Sequence, residues 1–276
     1  MKLTNIIEKE YDNLQNNTLD KIDVTTATDI VSDIFFEWYQ QFSKILDEKL
    51  LHGGIILYGM ITLGDDIAKN CIKNISYTTE EITKFSLRLE EIEKRKLTYF
   101  KDIGIFLSSI IANNYNKKNA EKYLLFTQDI TTKINYIGFK NSAHMVICGN
   151  VGHDLGINMN SGSITVTGNA ATNTGSELLN GIIHIYGNCE GNVGENMKGG
   201  EIIVDSKSGS IVGSRMQGGK ITIKGNTHDY VGEKSTGGQI NLLGEWNKAF
   251  MQSCEGDAEI YHRGKREYLR KKVEIK

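Results

Sequence analysis

The sequence contains no proline, so it can hold no cis-proline, no polyproline linker and no PxxP ligand motif. Its four cysteines are widely spaced and include no CxxC pair, and the N-terminus has no uninterrupted apolar stretch of the kind found in signal peptides. These absences favour an intracellular chain with free thiols, and the expected location is cytoplasmic.

Charge of one sign and long apolar runs are also lacking. The chain has 34 acidic and 32 basic residues, a formal net charge of −2, which predicts no bulk attraction to nucleic acid or to acidic membranes. The longest apolar run, 55–63, is far shorter than the roughly 20 residues that a membrane-spanning helix needs. With 276 residues, 39% of them hydrophobic, the chain has the composition of a globular protein of one large or two ordinary domains.

Glycine is rare in the first half of the chain and abundant in the second. Of 29 glycines, six precede residue 144, and the remainder begin at Gly149. The glycine-rich half divides into six consecutive blocks of 19 residues: 144–162, 163–181, 182–200, 201–219, 220–238 and 239–257. A fixed period of this length indicates a repeat architecture.

Each block begins with an apolar-x-apolar tripeptide and continues with glycine corners. Positions 2 and 4 are Ile, Val, Met or Leu, which is typical of a short strand with one buried face. Positions 6 and 7 are usually Gly-Asn, a turn pair in which both residues tolerate positive φ. We assign as structural repeat residues the Gly-Asn members Gly149, Asn150, Gly168, Asn169, Gly187, Asn188, Gly225 and Asn226 and the position-13 glycines Gly156, Gly175, Gly194, Gly213 and Gly232.

No block can bury a core alone, so the blocks must stack. One block for each coil of a parallel β-solenoid would place equivalent side chains about 4.8 Å apart, in interior columns. The crossover rule predicts right-handed winding. We expect the solenoid domain to span 133–262, with 133–143 as a shortened first coil, block six as the last full coil, a further strand at 259–264 and a basic tail at 263–276.

Residues 1–132 are predicted to form a helical domain. Apolar residues recur at helical spacing from Thr25 to Leu51, and Thr78 to Glu81 is a capping box that opens a second helix. Further apolar stretches at 55–75, 97–112 and 119–131 favour a bundle of four or five helices. The fold class is therefore a helical bundle followed by an all-β solenoid. His52-Gly53-Gly54 resembles an oxyanion-hole sequence, but a helix C-terminus explains it better, since no GxSxG follows.

No residue is assigned a catalytic, cofactor-binding or metal-binding role. The segment 213–220 resembles a phosphate-binding loop, yet its lysine comes one place late and the equivalent segment 194–201 has Glu there, which a repeat corner explains. The block histidines and cysteines fall at unrelated block positions, so they do not form a ligand column: His144, His153, His184, His228, Cys148, Cys189 and Cys254. Outward acids should instead pair with bases one block later, Glu201 with Lys220 and Asp205 with Lys224.

The repeat resembles a known family. The stretch GNCEGNVGENMKGGEIIV at 187–204 is similar to the GXGXG repeat domain, which is found in the C-terminal domain of glutamate synthase large subunits and in one of the subunits of formylmethanofuran dehydrogenase. The resemblance covers about 144–244 and implies a right-handed parallel β-helix that braces or connects catalytic subunits without chemistry of its own. It implies no catalytic residue here.

The leading hypothesis is thus a non-catalytic assembly protein that docks onto a larger enzyme subunit of one of these two types, without a cofactor. A second hypothesis places an enzyme active site in the helical domain or at its junction with the first coil, near His144 and His153. A third is self-association through the solenoid.

Overall fold

In the computed structural model, residues 30–51, 57–73, 75–118, 122–247 and 257–267 are described. Five of the predictions lie wholly or partly outside these ranges. They concern the start of the first helix at Thr25, the His52-Gly53-Gly54 sequence, the second half of block six, the place of Cys254 and the tail beyond residue 267.

The first part of the chain is helical, as predicted. Its helices are α1 (Ile30–Leu51), α2 (Leu57–Ile72), α3 (Thr79–Leu87), α4 (Leu89–Glu93) and α5 (Ile103–Lys118), with a 3₁₀ turn at Phe100–Asp102. The capping box is confirmed, since Thr78 Oγ1 accepts from the Glu81 backbone N–H and the Glu81 carboxylate accepts from that of Thr78. None of the described helices is long and apolar enough to cross a membrane.

Aromatic side chains of α1 fill the centre of the helical region. Trp38 stacks on Phe42 with ring centroids 4.8 Å apart and lies 5.5 Å from Phe106 of α5. The indole N–H of Trp38 donates to the carbonyl oxygen of Gly64 at 2.9 Å, which satisfies its one polar atom inside the core. The aromatic side chains of α1, which recur at helical spacing, therefore form a buried stripe that faces α2 and α5.

The second part is a parallel β-solenoid. Its strands are β1 (Tyr123–Thr127), β2 (His144–Gly149), β3 (Ser163–Val166), β4 (Ala170–Thr172), β5 (Ile182–Ile185), β6 (Cys189–Gly191), β7 (Glu201–Val204), β8 (Lys220–Ile223), β9 (Gln239–Leu242), β10 (Glu259–His262) and β11 (Lys265–Glu267). The main sheet has the order β1-β2-β3-β5-β7-β8-β9-β10-β11, and β4 pairs with β6 in a second sheet. All these pairings are parallel except that of β10 with β11.

The register confirms that 19 residues close one coil. Ile183 pairs with Ile202 and Ile202 with Ile221, so the position-2 side chains are vertical neighbours. All three isoleucines are fully buried. Each coil therefore shields the apolar edge of the next from water, which no block could do alone.

One predicted helix is wrong. The stretch 119–131 contains strand β1, which pairs in parallel with β2 and places the start of the solenoid at Tyr123 rather than at residue 133. Tyr123, Leu125 and Thr127 face the interior, and Leu124 and the also buried Phe126 lie on the other face. The partner strand β2 supplies hydrogen bonds that a five-residue strand cannot make by itself.

The basic tail at 263–276 also needs correction at its start. Arg263 and Gly264 both have positive φ and form a tight turn that leads into β11, so the described beginning of the tail is a hairpin with the predicted strand β10. The side chains of β11 are Lys265, Arg266 and Glu267, and charged residues are typical of a terminal sheet strand.

The helical region caps the opposite end of the sheet. Helix α3 lies against β1, and Ser86 Oγ accepts a hydrogen bond from the Phe126 backbone N–H at 3.0 Å. That amide lies on β1, the first strand of the sheet. Buried apolar residues form one continuous core from α1 to β10, so cap and solenoid pack as a unit.

Candidate functional site

The junction between α5 and the first coil, named in the second hypothesis, is closely packed backbone against backbone. The Asn135 N–H donates to the carbonyl oxygen of Lys101 at 2.7 Å. A Cβ atom at Gly104 would lie 1.9 Å from the Asn135 carbonyl oxygen, so only glycine fits there. Ser108 Oγ, one turn further along α5, accepts from the Gly138 N–H at 2.8 Å.

Two carboxylates are buried at this junction. Asp102 is 3% exposed and accepts from Asn135 Nδ2 at 3.4 Å, and Asp154 is 5% exposed and accepts from Asn173 Nδ2 at 3.0 Å. Burial raises the pKa of both carboxyl groups, and these amide hydrogen bonds offset part of the effect. Burial likewise raises the pKa of the Tyr136 phenol, and the charges of Asp102 and Asp154 raise it further. Asp102, Tyr136 and Asp154 are each at most 5% exposed, so the junction shields all three side chains from water.

We predict that Asp102→Asn stabilises the protein at neutral pH. The folded-state pKa of Asp102 is raised, so stability falls as pH rises from the unfolded pKa of about 3.9 through the folded value, and the penalty is complete above it. Asparagine removes that penalty and can still accept from Asn135. Urea denaturation at pH 7 should show a gain of roughly 1 kcal/mol.

The gain from Asp102→Asn should vanish near pH 3, where the wild-type carboxyl is already protonated in both states. The matched control is Asp66→Asn, at an exposed position on α2, for which no change is expected at either pH. A variant that is less stable than wild type at pH 7 would contradict the prediction.

Of the histidines named in the second hypothesis, His153 lies close enough to Asp154 to act on it: burial raises the pKa of Asp154, and the charge of His153 opposes part of that rise. His144 and His153 are both exposed, and their Nδ1 atoms lie 2.9 Å from Ser163 Oγ and 2.8 Å from Thr172 Oγ1, each one block later. Within the part of the chain that the structure describes, no group of three or more His, Cys, Asp or Glu side chains is placed to hold a metal ion. Three of the four cysteines, Cys71, Cys148 and Cys189, are buried, and none of these three forms a disulfide.

The predicted repeat asparagines form a hydrogen-bonded column along one corner. Asn150 Oδ1 accepts from the backbone N–H of Asn169 at 2.8 Å and from its Nδ2 at 3.1 Å. Asn188 donates to Asn169 Oδ1 with the same two distances. Lys207 replaces asparagine in block four and only its backbone N–H reaches Asn188 Oδ1, at 3.1 Å. The column thus satisfies backbone groups at the turns.

The repeat glycines permit close approach at two corners. A Cβ at Gly168 would lie 2.5 Å from the Gly149 carbonyl oxygen of the preceding coil. Gly175 has φ +68, and a Cβ there would lie 2.4 Å from Ile202 Cδ1 in the interior. The other members of the two classes occupy equivalent places: Gly187 and Gly225 in the first, and Gly156, Gly194 and Gly213 in the second. Gly232 shares the positive φ of the second class, at +71.

A second polar column was missed in the sequence. Asn173 Nδ2 donates to Asp154 Oδ1 at 3.0 Å, and Asn192 Nδ2 donates to Asn173 Oδ1 at 2.9 Å. All three residues have positive φ, a conformation that Asn and Asp tolerate better than other side chains. Block position 11 carries this signal as Asp-Asn-Asn, before Ile211 and Tyr230 interrupt it with the same backbone conformation.

The segment that resembles a phosphate-binding loop, 213–220, is an ordinary coil corner. Backbone N–H groups of Gly213, Arg215, Gln217 and Lys220 all donate to carbonyl oxygens of neighbouring coils. A phosphate loop needs its amides free to point at the ligand. These four amides are instead occupied by hydrogen bonds between coils.

The outward face of the main sheet carries the predicted charge pairs. Lys220 Nζ lies 3.0 Å from Glu201 Oε1, and Lys224 Nζ lies 2.8 Å from Asp205 Oδ1, which confirms both pairings. Each pair joins neighbouring coils and is partly exposed, so its contribution to stability is at most a few tenths of a kcal/mol. Because each pair joins one positive and one negative side chain, the two pairs leave this part of the face without net charge.

Aromatic and apolar side chains lie beside these pairs. His184 stacks on Tyr186 with ring centroids 4.4 Å apart, and its Nε2 lies 2.9 Å from Asp205 Oδ1. Partial burial raises the pKa of Asp205, but the hydrogen bonds from Lys224 and His184 outweigh it and hold that pKa below its usual value. Ile182, one strand position earlier than Ile183, is 45% exposed. We refer to the outward side chains of β5, β7 and β8, together with the directly following Tyr186, Asp205 and Lys224, as the flat face.

No family model matches this chain, and no curated protein does either. The proposed function therefore depends on the residues themselves, and the resemblance to the GXGXG domain stays a prediction.

Proposed function

We propose that this protein is a non-catalytic assembly subunit that docks a protein partner on the flat face of its solenoid. The observation that carries the proposal is the make-up of that face. Its charges are neutralised in pairs along the sheet, its aromatic rings are stacked, and its first strand carries the exposed Ile182 at one corner. A neutral surface that carries aromatic and aliphatic side chains has the composition of a protein–protein interface.

The regularity of the solenoid supports the same proposal. Its coils keep one register from β3 to β9, with no inserted loop over the face, so a partner with an extended surface could approach it directly. The helical region serves as the cap that keeps the first strand edge from pairing with other chains. The ionisable side chains of the junction are buried, whereas an active site needs groups that a substrate can reach.

For the partner we favour an enzyme of the glutamate synthase or formylmethanofuran dehydrogenase type. The support is the repeat pattern at 187–204, which resembles domains that brace the catalytic parts of such enzymes. Right-handed winding, as in that family, is part of the same proposal.

The test is co-purification from the native cell with a tagged chain and a matched pair of surface variants. Ile182→Glu places a charge on the flat face, and Leu179→Glu changes a similarly exposed side chain outside the sheet, 45% against 41% exposed. We expect a stoichiometric enzyme subunit with wild type and with Leu179→Glu, and its loss with Ile182→Glu while circular dichroism stays unchanged.

Three outcomes would contradict the proposal. Equal recovery with both variants would place the contact away from the flat face. A homo-oligomer whose size rises with concentration in sedimentation would favour self-association instead. A lone monomer with an activity lost on changing the junction would favour the enzyme hypothesis.

A further inference from the structure

The corner at which block two passes into block three carries the one Asn-Gly pair of the sequence, Asn180-Gly181. Asn180 is exposed, and its Oδ1 accepts a hydrogen bond from the Gly181 backbone N–H at 2.8 Å. Gly181 has φ +97, and a Cβ there would lie 2.8 Å from the Gly162 carbonyl oxygen, so the corner requires glycine at this place. The preceding place is glycine in the next three blocks: Gly199, Gly218 and Gly237. The asparagine at 180 is therefore not dictated by the coil.

We propose that Asn180 is a site of deamidation in the folded protein, because the Gly181 nitrogen is held beside its side-chain amide. The hydrogen bond joins that nitrogen to Oδ1, which is one C=O bond from Cγ, so the nitrogen lies within about 4 Å of the carbon that it attacks. Positioned groups react from roughly 3 to 3.5 Å. Glycine has no side chain to obstruct the approach, and asparagine is one of the thermolabile residues.

The reaction needs only water besides these two residues. The Gly181 nitrogen gives its proton to solvent and attacks Asn180 Cγ, so that the N–Cγ bond forms, the Cγ–Nδ2 bond breaks, and Nδ2 takes a proton from solvent and leaves as ammonia. Water then opens the five-membered imide. Attack of water at Cγ gives aspartate, whereas attack at the main-chain carbonyl carbon gives isoaspartate, in which the chain runs through Cβ and Cγ.

Both products place a carboxylate next to the exposed Leu179. The isoaspartate product also lengthens the main chain at a corner where the Gly181 carbonyl oxygen accepts from the Glu201 N–H at 2.8 Å. The reaction involves no partner protein, so the site stands independently of the docking function proposed for the flat face.

Two asparagines of the repeat column are held differently. Asn169 and Asn188 are also exposed, but the residue after each of them donates its backbone N–H to the next coil. The Ala170 N–H donates to the Asn188 carbonyl oxygen at 2.8 Å, and the Cys189 N–H donates to that of Lys207 at 2.9 Å. Neither nitrogen can turn toward the preceding side chain without breaking such a bond. The hydrogen bonds between coils therefore protect these two asparagines from the same reaction.

Peptide mapping by mass spectrometry tests the proposal. The folded full chain would be incubated in mildly alkaline buffer, and loss of the side-chain amide would be followed in the peptides that carry Asn180, Asn169 and Asn188. We expect Asn180 to react at least about tenfold faster than the other two, because its neighbour's nitrogen is positioned for attack and theirs are not. Labelling by an isoaspartate methyltransferase should report the isoaspartate product, and Asn180→Gln should abolish both signals.

The matched variant Ala170→Gly separates geometry from sequence. It gives Asn169 a glycine neighbour whose N–H is still held by the hydrogen bond to the Asn188 carbonyl oxygen. We expect Asn169 to stay slow in the folded variant, with circular dichroism unchanged, and to react as fast as Asn180 once urea has removed the bonds between coils. Fast modification of Asn169 in the folded variant would overturn the proposal, as would equal rates at the three asparagines of the folded wild type.

Discussion

Replacing Ile202 with alanine is expected to lower the free energy of unfolding by about 3 to 4 kcal/mol. Ile202 is fully buried at the middle of the interior column, between Ile183 and Ile221. Its Cδ1 fills the space beside Gly175, so truncation opens a cavity against a backbone that is held by inter-coil hydrogen bonds. Denaturant titration followed by circular dichroism measures the loss.

The adjacent Ile203 is a matched control, because it lies on the same strand and points to the opposite face. It is only partly buried, so Ile203→Ala should cost less than about 1 kcal/mol. Equal losses for the two variants would mean that the inward and outward positions of β7 are misassigned, and the 19-residue coil with them.

The solenoid could be predicted from sequence because its information is repeated. The same inward isoleucine or valine returns every 19 residues, and the pairing of Ile183, Ile202 and Ile221 follows from the period alone. The charge pairs were predictable for the same reason, since a residue's neighbour one coil later is fixed by counting.

Strand β1 could not be recognised in the same way. It lies outside the 19-residue period, because its partner Met145 is opposite Tyr123, 22 positions earlier. A short apolar run such as Tyr123–Thr127 is compatible with helix or strand, and the choice is made by the partner strand. The polar column from Asp154 to Asn192 was open to prediction from block position 11, but the stronger glycine pattern of the corners masked it.

The contacts at the junction between α5 and the first coil could not be predicted from the sequence, for a different reason. The contact between Gly104 and Asn135 joins two segments that share no sequence pattern, so the contact cannot be predicted from either segment. The burial of Asp102 and Asp154 follows from that contact, so the raised pKa values were equally hidden. Local patterns fix the coils and helices, whereas the way in which cap and solenoid meet depends on tertiary packing.

Gly104→Ala is the second substitution with a large expected effect, and it tests that meeting point. A Cβ at residue 104 would lie 1.9 Å from the Asn135 carbonyl oxygen and 2.9 Å from the Ile137 nitrogen. Both are backbone atoms, and the Asn135 N–H is already bound to the Lys101 carbonyl oxygen, so the first coil cannot move away without losing that bond. We expect a loss of about 3 kcal/mol, even though alanine favours a helix over glycine by about 1 kcal/mol.

The control for Gly104→Ala is the same change at Gly64 in α2. There the nearest atoms to a new Cβ are side-chain carbons, Ile105 Cγ2 at 3.0 Å and Phe42 Cε2 at 3.1 Å, which can shift by rotation. Thermal unfolding should therefore place Gly64→Ala much closer to wild type than Gly104→Ala. If Gly104→Ala were as stable as wild type, helix α5 could not rest on the first coil as described, and the cap would have to contact the solenoid through α3 alone.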